Sequence, residues 1–267
     1  MPKPKKGKGH SKSKSKNSNQ TKKVKVVQVV SALSVKPQIP KSIPVPVTDL
    51  DQFLNLPATG PAQSIARNIT IQMPEADKLV IVGLFIDDSG SMNHLRNAVI
   101  DGAKVSVEAF RGAKGSDFYL DVRGFKRKYF QGFLKDVTDG CLGEYMPDYG
   151  ETPLITKSIN HLQGLRSLAE QYQSMGISVT VALLIISDGF PNNEEVRPKK
   201  FAEVIEAGDY IVGMGCAPVG DDESVTAYRC LFESMGITNI MTPKAMASEV
   251  RHAINQFSQS VAAIASA

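Results

Sequence analysis

The chain has 267 residues, 42% of them hydrophobic and 22% charged, with no tryptophan. This is the composition of a globular protein rather than of a fibrous or wholly disordered one. Its longest uninterrupted aliphatic run, Val181–Ile186, is far shorter than the ~20 residues that span a bilayer, so the sequence excludes a transmembrane helix.

The net charge of +4 hides an uneven distribution. Residues 1–48 contain 12 Lys and no acid, whereas residues 49–267 contain 19 basic and 27 acidic residues. No apolar stretch follows the N-terminal charges, as it would in a signal peptide, so we expect an intracellular, cytoplasmic protein. Lysine-rich segments of this kind bind nucleic acid or acidic surfaces, or serve only as solubilising tails, and the sequence leaves both interpretations open.

Three regions follow from composition. Residues 1–25 are Lys, Ser, Gly and Asn with almost nothing to bury, which predicts a disordered arm. Residues 26–60 are rich in Val and Pro and predict an extended linker. Residues 61–267 form the predicted folded domain, and Ala66–Met73 at its start alternates in the manner of a half-buried strand.

The folded region alternates strand and helix patterns. Leu79–Ile86 is a continuous apolar run that ends at Asp87, which is typical of a strand buried on both faces of a parallel sheet. Ser178–Ser187 repeats the pattern and ends at Asp188. The alternation predicts an α/β fold with a doubly wound, mostly parallel sheet and helices on both faces. The other predicted strands are Phe118–Phe125 and Tyr129–Val137, as an edge hairpin, and Tyr210–Met214 and Ile237–Met241. The predicted helices are Met92–Gly112, Thr156–Met175, Phe201–Glu206, Tyr228–Met235 and Ala245–Ala263.

Three loops carry the oxygen ligands of a candidate metal site. Asp87, Ser89 and Ser91 follow the first buried strand in a tight turn, Thr152 precedes a helix, and Asp188 follows the second buried strand. Because the carboxyl ends of parallel strands meet at one edge of a sheet, we expect these side chains to converge. Carboxylates and hydroxyls without His or Cys favour Mg²⁺, with Mn²⁺ and Ca²⁺ as alternatives.

These residues resemble the motifs of a von Willebrand factor A (VWA) domain. Asp87, Ser89 and Ser91 match its D-x-S-x-S motif, Thr152 its isolated threonine, and Ser187-Asp188-Gly189 its S/T-D-G element, over roughly residues 75–260. The resemblance implies a metal-ion-dependent adhesion site (MIDAS). In it Mg²⁺ would lie on the three hydroxyls, with both carboxylates acting partly through water and a partner's Asp or Glu completing the coordination.

Within that family the chain looks most similar to intracellular bacterial proteins of the tellurite-resistance and stress type. The absent signal peptide and the short loop around Thr152 favour this comparison. The lysine-rich N-terminus departs from a minimal VWA protein and leaves a phage or virion setting open.

Four neighbouring side chains are assigned less specific roles. Asp88 either supports the ligands from behind or is solvated, and the solvated position is favoured. Glu151 is expected to be exposed at the rim of the site, and His94 to be a solvated helix residue. Ser91 could also cap the helix that follows it.

The sequence favours binding over catalysis. It contains no GxSxG elbow and no phosphate-binding GxxxxGK[ST] loop, and a haloacid-dehalogenase phosphatase would need an acid where Ser89 stands. We therefore predict a Mg²⁺-dependent protein-binding module that is not an enzyme. Two alternatives remain: a structural protein of a nucleic-acid-containing particle, with residues 1–48 contacting nucleic acid, and a metal-assisted phosphoesterase.

Overall fold

The computed structural model describes residues 72–192 and 194–267. The predicted arm of residues 1–25 and the linker of residues 26–60 lie outside this range. So does all of the predicted strand Ala66–Met73 except its last two residues, which are not in a strand. Within the described part of the chain, no helix is both long enough and apolar enough to cross a membrane.

Six strands form one sheet in the spatial order β3-β2-β1-β4-β5-β6. All neighbouring strands run parallel except β2 and β3, which form the antiparallel edge hairpin. This confirms the predicted α/β fold with a mostly parallel sheet. The strands are β1 (Lys78–Ile86), β2 (Asp117–Arg123), β3 (Lys128–Phe133), β4 (Ser178–Ser187), β5 (Tyr210–Gly215) and β6 (Asn239–Met241).

Helices cover both faces of the sheet and divide the core into two layers. Because successive strand residues point to opposite faces, β1 sends Val80, Val82 and Leu84 into one layer, and Ile81 and Phe85 into the other. The first layer packs against α1 and α6, the second against α3, α4 and α5. The helices are α1 (Arg96–Gly112), α2 (Asp139–Gly143), α3 (Leu154–Ser174), α4 (Lys199–Ala202), α5 (Asp222–Ser234) and α6 (Ala247–Ser266).

A close approach of α3 to the sheet depends on Gly83 in the middle of β1. A Cβ at this position would lie 2.6 Å from Leu165 and 3.1 Å from the His161 ring, both of which belong to α3. The missing side chain therefore allows α3 to lie directly on β1, which fixes the helix whose N-terminus adjoins Thr152.

Several predicted elements end or begin elsewhere. The helix predicted over Phe201–Glu206 lies at Lys199–Ala202, and the strand predicted from Ile237 begins at Asn239. The strand predicted over Tyr129–Val137 ends at Phe133, because the next three residues form a 3₁₀ turn closed by the Val137 N–H donating to the Leu134 carbonyl. The helix predicted from Tyr228 begins six residues earlier. There Asp221 caps it by accepting a hydrogen bond from the Ser224 N–H at 2.9 Å.

The helix predicted to start near Met92 has two parts. Residues Gly90–Leu95 form a 3₁₀ helix, and α1 begins only at Arg96. The tighter winding keeps Ser89 and Ser91 on the turn that follows β1 rather than inside a regular helix.

Candidate metal site at the carboxyl edge of the sheet

The two central strands deliver their acids to the same edge. β1 and β4 pair in register from Lys78 with Ser178 to Ile86 with Ile186, and the Asp87 N–H extends the ladder by donating to the Ile186 carbonyl at 2.8 Å. Asp87 and Asp188 therefore leave adjacent strands at nearly the same level. This is the convergence that the sequence predicted.

The turn after β1 joins both acids through hydroxyl groups. The Ser89 N–H donates to Asp87 Oδ1 at 2.8 Å, and the Ser91 hydroxyl donates to Asp188 Oδ1 at 2.6 Å. The two serine oxygens are 3.0 Å apart. Since Ser91 uses its proton on Asp188, Ser89 donates to Ser91, and four of the five predicted residues form one connected cluster.

The second carboxylate oxygen of Asp87 is held from β4. The Ser187 hydroxyl donates to Asp87 Oδ2 at 2.5 Å and also contacts the Gly189 backbone. The Tyr145 hydroxyl donates to the Asp87 carbonyl at 2.5 Å. Sequence reasoning placed Ser187 in a motif but gave it no bond, and it missed Tyr145, whose position after α2 no local pattern reveals.

Thr152, the fifth predicted residue, is 5% exposed and lies beside the same carboxylate. A Cβ built on Gly189 would be 3.5 Å from the Thr152 hydroxyl oxygen and 3.8 Å from Asp87 Oδ2. Both distances are ordinary van der Waals contacts, so Thr152, Gly189 and the Asp87 carboxylate are neighbours. All five predicted residues lie within this one region of the sheet edge.

Two residues beyond the motif hold the threonine loop. Asn192 accepts a hydrogen bond from the Thr152 N–H at 2.7 Å, and its own N–H donates to the Thr152 carbonyl at 3.2 Å. Glu194 accepts from the N–H groups of Ile155 and Thr156 at 2.9 and 3.1 Å, which caps α3. Sequence reasoning missed both, because only the folded chain brings them to the helix start.

Asp88 is buried, and the prediction that it is solvated is wrong. Its carboxylate accepts hydrogen bonds from the Phe125 N–H at 2.9 Å and the Tyr129 hydroxyl at 3.1 Å. A Cβ on Gly124 would lie 2.3 Å from Asp88 Oδ2, so the glycine makes room for the acid. Asp88 faces away from Asp87 because side chains alternate along an extended backbone.

The loop that leads to Thr152 is also bound to the turn after β1, by a short parallel bridge between Ser89 and Tyr149. The Gly90 N–H donates to the Tyr149 carbonyl at 2.9 Å, and the Tyr149 N–H donates to the Asp88 carbonyl at 2.9 Å. The loop that leads to Thr152 is therefore held on both of its sides.

The electrostatics of the cluster favour an added cation. Burial raises the pKa of Asp87 to about 6, against lowering by the hydrogen bonds of Ser187 and Ser89, and burial also raises the pKa of Asp188. Among the described residues, the only basic side chain within 4.0 Å of either carboxylate is His94, 3.9 Å from Asp188. Two buried acids thus share an edge with little positive charge from the protein itself.

The donor set fits a hard divalent ion. Adjacent ligands of an octahedral ion at about 2.1 Å are separated by about 3.0 Å, which is the separation of the two serine oxygens. Within the described residues, no group of three or more His, Cys, Asp or Glu side chains could hold a metal. The candidate site is of a different kind, since three of its five ligands would be hydroxyls.

The rim of the site is partly apolar and partly basic. Phe190, which follows Gly189, is 43% exposed and stacks on Tyr228 at 4.6 Å. Lys126 lies 6.0 Å from the ring of Tyr149, the residue that bridges to Ser89. Glu151 is exposed, as predicted, and so is His94, although it lies in the 3₁₀ helix and its Nδ1 is 2.7 Å from the Ser91 carbonyl.

Comparison with known proteins gives matches among solved structures. No protein-family profile matches the chain, and no curated protein matches it. A zinc-occupied MIDAS form of proximal thread matrix protein 1 from the mussel byssus has a TM-score of 0.50 at 15% identity. The open form of the pilus adhesin SpaC from Lactobacillus rhamnosus GG has a TM-score of 0.50 at 13% identity. A von Willebrand factor type A protein from Catenulispora acidiphila has a TM-score of 0.48 at 13% identity.

These likenesses bear on the fold alone. Each match covers 69% of this chain, but only 46%, 30% and 43% of the three solved chains in the order given. The chain therefore spans less than half the length of these three structures. The first two, one of them with a MIDAS motif, share the overall α/β fold of the described chain.

Proposed function

We propose that the protein is a Mg²⁺-dependent protein-binding module. The proposal rests on the connected cluster of Asp87, Ser89, Ser91 and Asp188 beside Thr152. The cluster is buried at Asp87 and Ser89 and open at Ser91, and the described residues give its acids no strong counter-charge. Bound Mg²⁺ would supply a positive centre with an open position for a carboxylate. The protein's own part is to hold the five oxygen donors in place and to present the ion at an exposed rim.

Metal titration of the full chain tests the first half of the proposal. We expect Mg²⁺ or Mn²⁺ to raise the melting temperature of the wild-type protein and to leave Asp87→Ala unaffected. An equal response of both proteins would contradict the assignment.

Partner capture tests the second half. A partner that is retained on immobilised protein with Mg²⁺ should be released by EDTA and retained less by Thr152→Ala. That change removes a loop hydroxyl and little core volume. Thr226→Ala, which removes an exposed hydroxyl from α5, is the matched control and should bind like the wild type. Undiminished binding by Thr152→Ala would argue against coordination as the recruiting step.

We propose binding rather than catalysis for this site. The Ser91 and Ser187 hydroxyls are hydrogen-bonded to Asp188 and Asp87, and in the proposed site those carboxylates serve the ion rather than act as bases. A metal-assisted phosphoesterase is the competing assignment. Mg²⁺-dependent hydrolysis of p-nitrophenyl phosphate that disappears in Asp87→Ala would favour it.

A second candidate function concerns the N-terminal lysines and is favoured by 12 Lys without an acid in residues 1–48. We propose that this segment binds nucleic acid or another polyanion with a steep salt dependence and little sequence preference. Deleting residues 1–25 should abolish retention on heparin or DNA and leave the Mg²⁺ response intact. Equal retention of both chains would show a solubilising tail.

The cellular setting belongs to the same proposal. A cytoplasmic role of the tellurite-resistance or stress type is our preferred assignment, and a structural role in a phage or virion is the alternative. Copurification of the tagged protein with nucleic-acid-containing particles would support the second.

A further inference from the structure

The carboxyl edge of the sheet carries different side chains on the two sides of the candidate metal site. The strand order puts β2 on one side of the central pair β1 and β4, and β5 on the other. Neighbouring strands are about 4.8 Å apart, so the ends of β2 and β5 each lie about 7 Å from the middle of the central pair. In an extended segment, side chains two residues apart are separated by about the same distance.

The β2 side of the edge is basic. The turn between β2 and β3 carries Lys126 and Lys128, which are both exposed and form no ion pair with an acid of the described residues. The Lys126 N–H donates to Asp88 Oδ2 at 3.4 Å, and Lys126 Nζ lies 6.0 Å from the ring of Tyr149. Since Tyr149 bridges to Ser89, these contacts connect the basic turn to the metal site.

Two acids beside this turn already have partners. Asp148 pairs with Arg127 at 2.6 Å, and Glu151 accepts a hydrogen bond from the Tyr149 hydroxyl at 3.3 Å. The two lysines are therefore the charges that the turn can offer to a ligand.

The β5 side of the edge is apolar. Phe190, which follows β4 by three residues, is 43% exposed and stacks on Tyr228. The Tyr228 ring occupies the place that a Cβ on Gly215, the last residue of β5, would take. Phe190 therefore lies over the end of β5, and Val219, in the loop that leaves β5, is 64% exposed.

Beyond these apolar residues the same side is acidic. The helix α5 starts with Asp222 and Glu223, which are both exposed. A second acid on a ligand would be repelled here and attracted by Lys126 and Lys128 on the other side. The edge thus distinguishes the two orientations of an acidic ligand.

We propose that this edge binds an extended acidic segment of a partner protein in one orientation. One carboxylate binds the ion beside the exposed Ser91, a second lies toward Lys126 and Lys128, and an apolar side chain lies toward Phe190 and Val219. This inference rests on the proposed function of the site and adds the chemistry and the orientation of the partner.

Charge reversal tests the basic side on the full chain in Mg²⁺ at low ionic strength. The probes are the fluorescent peptide Gly-Glu-Ser-Asp-Ser-Leu-Gly and its counterpart with Lys in place of Glu, each also made in reversed order so that either chain direction can bind. Anisotropy measures their affinities. The wild type should bind the Glu peptide about three- to tenfold more tightly than the Lys peptide, as expected for exposed ion pairs. Lys126→Glu/Lys128→Glu should prefer the Lys peptide.

Equal affinities of the wild type for the Glu and Lys peptides would overturn the proposal, and so would the absence of Mg²⁺-dependent binding by every probe. The matched control is Lys78→Glu/Lys114→Glu, which reverses two exposed charges at the opposite edge of the sheet. This variant should keep the wild-type preference. A peptide with Asn in place of the central Asp, and any peptide in EDTA, should not bind.

Phe190→Ala tests the apolar side. It should weaken binding of the Leu peptide about threefold and leave binding of a peptide with Gly in place of Leu unchanged, because only the first loses an apolar contact. Val105→Ala on α1, a position that is 39% exposed, should bind both peptides like the wild type. An equal loss for both peptides, or no loss for either, would overturn the apolar contact.

The Mg²⁺ response separates failure of this inference from failure of the proposed function. A wild-type melting temperature that rises with Mg²⁺, together with equal binding of the Glu and Lys peptides, overturns the oriented acidic ligand and leaves the metal site standing. No Mg²⁺ response in the wild type overturns both.

Discussion

Asp121 and Asp87 are both fully buried but differ in their surroundings. Asp121 on β2 is bound by the Arg123 guanidinium and lies 3.2 Å from His161 Nε2. Burial opposes its ionisation, but His161 and Arg123 together outweigh burial and hold the pKa of Asp121 below its ordinary value. Asp87 on the site edge accepts instead from a backbone N–H and a hydroxyl, and burial raises its pKa to about 6.

The contrast agrees with the proposed metal site, in which Asp121 serves the fold and Asp87 would serve a bound ion. The protein supplies the Arg123 guanidinium and the His161 ring to Asp121, and only neutral hydrogen-bond donors to Asp87. Burying a carboxylate without a counter-charge costs stability, and a bound cation would recover that cost. The same Asp→Asn substitution should therefore have opposite effects at the two positions in the metal-free protein.

The largest effect is expected for Asp121→Asn. Removing one partner of a buried ion pair typically costs about 3–5 kcal/mol, and this change leaves the Arg123 guanidinium without its charge partner. Urea denaturation should show this loss in the free energy of unfolding, with or without Mg²⁺. A loss below about 1 kcal/mol would mean that the pair contributes little to the fold.

Asp87→Asn should stabilise the metal-free protein by about 3 kcal/mol at pH 7.5. A pKa raised from 3.8 to about 6 corresponds to a penalty of that size for the ionised, buried acid. Urea denaturation in EDTA measures the gain. In Mg²⁺ the difference in stability between the two proteins should shrink or change sign, because the ion stabilises only the wild type. If Asp87→Asn is less stable than the wild type in EDTA, the expected contrast between Asp87 and Asp121 is wrong.

The pH dependence of that gain has a defined sign. The folded-state pKa of Asp87 is raised, so its penalty is absent below the unfolded value near 4, grows as the pH rises, and is complete above about pH 6. The stability difference between Asp87→Asn and wild type in EDTA should appear over this window. A difference that is constant from pH 4 to pH 7 would assign it to packing rather than to charge.

Ser91→Ala should lower the affinity for Mg²⁺ on the order of 10–100-fold, a loss typical of changes in and around metal ligands. Its hydroxyl joins the turn after β1 to Asp188. Isothermal titration calorimetry measures the change. Ser234→Ala, which removes an exposed hydroxyl from the end of α5, should leave the affinity unchanged.

The smallest effect is expected for Asn192→Ala. Losing the hydrogen bond from the Thr152 N–H should cost about 1 kcal/mol of stability. It should also lower Mg²⁺ affinity a few-fold, because this hydrogen bond helps to fix the loop that carries Thr152. Asn97→Ala on the exposed face of α1 is the matched control. An effect on stability without any change in metal affinity would separate Asn192 from the site.

Local sequence signals were sufficient for the central sheet. The strand over Ser178–Ser187 was predicted at its observed bounds because an apolar run lies between Gly176, which has a positive φ, and Asp188. The end of β3 and the start of α5 were missed, since a 3₁₀ turn and an exposed capped turn carry no apolar periodicity. Apolar patterning therefore locates buried elements better than it locates their ends.

The candidate site was predictable to the same extent. Two local signals predicted that the five residues lie close together. These were the spacing of Asp87, Ser89 and Ser91 and the ends of the two buried strands. Asp88 was misjudged because its partners, Phe125 and Tyr129, come from the edge hairpin. Such long-range contacts arise from the topology of the sheet and leave no mark in the local sequence.

The place of β1 in the sheet also has a mechanical consequence. Asp87 ends a central strand whose other end leads directly to the N-terminal part of the chain, so a pull between a bound partner and that part would run along β1. Parallel pairing with β2 over Leu79–Phe85 and with β4 along the whole strand would be loaded in shear. In that geometry the hydrogen bonds share the force and must fail together rather than one after another.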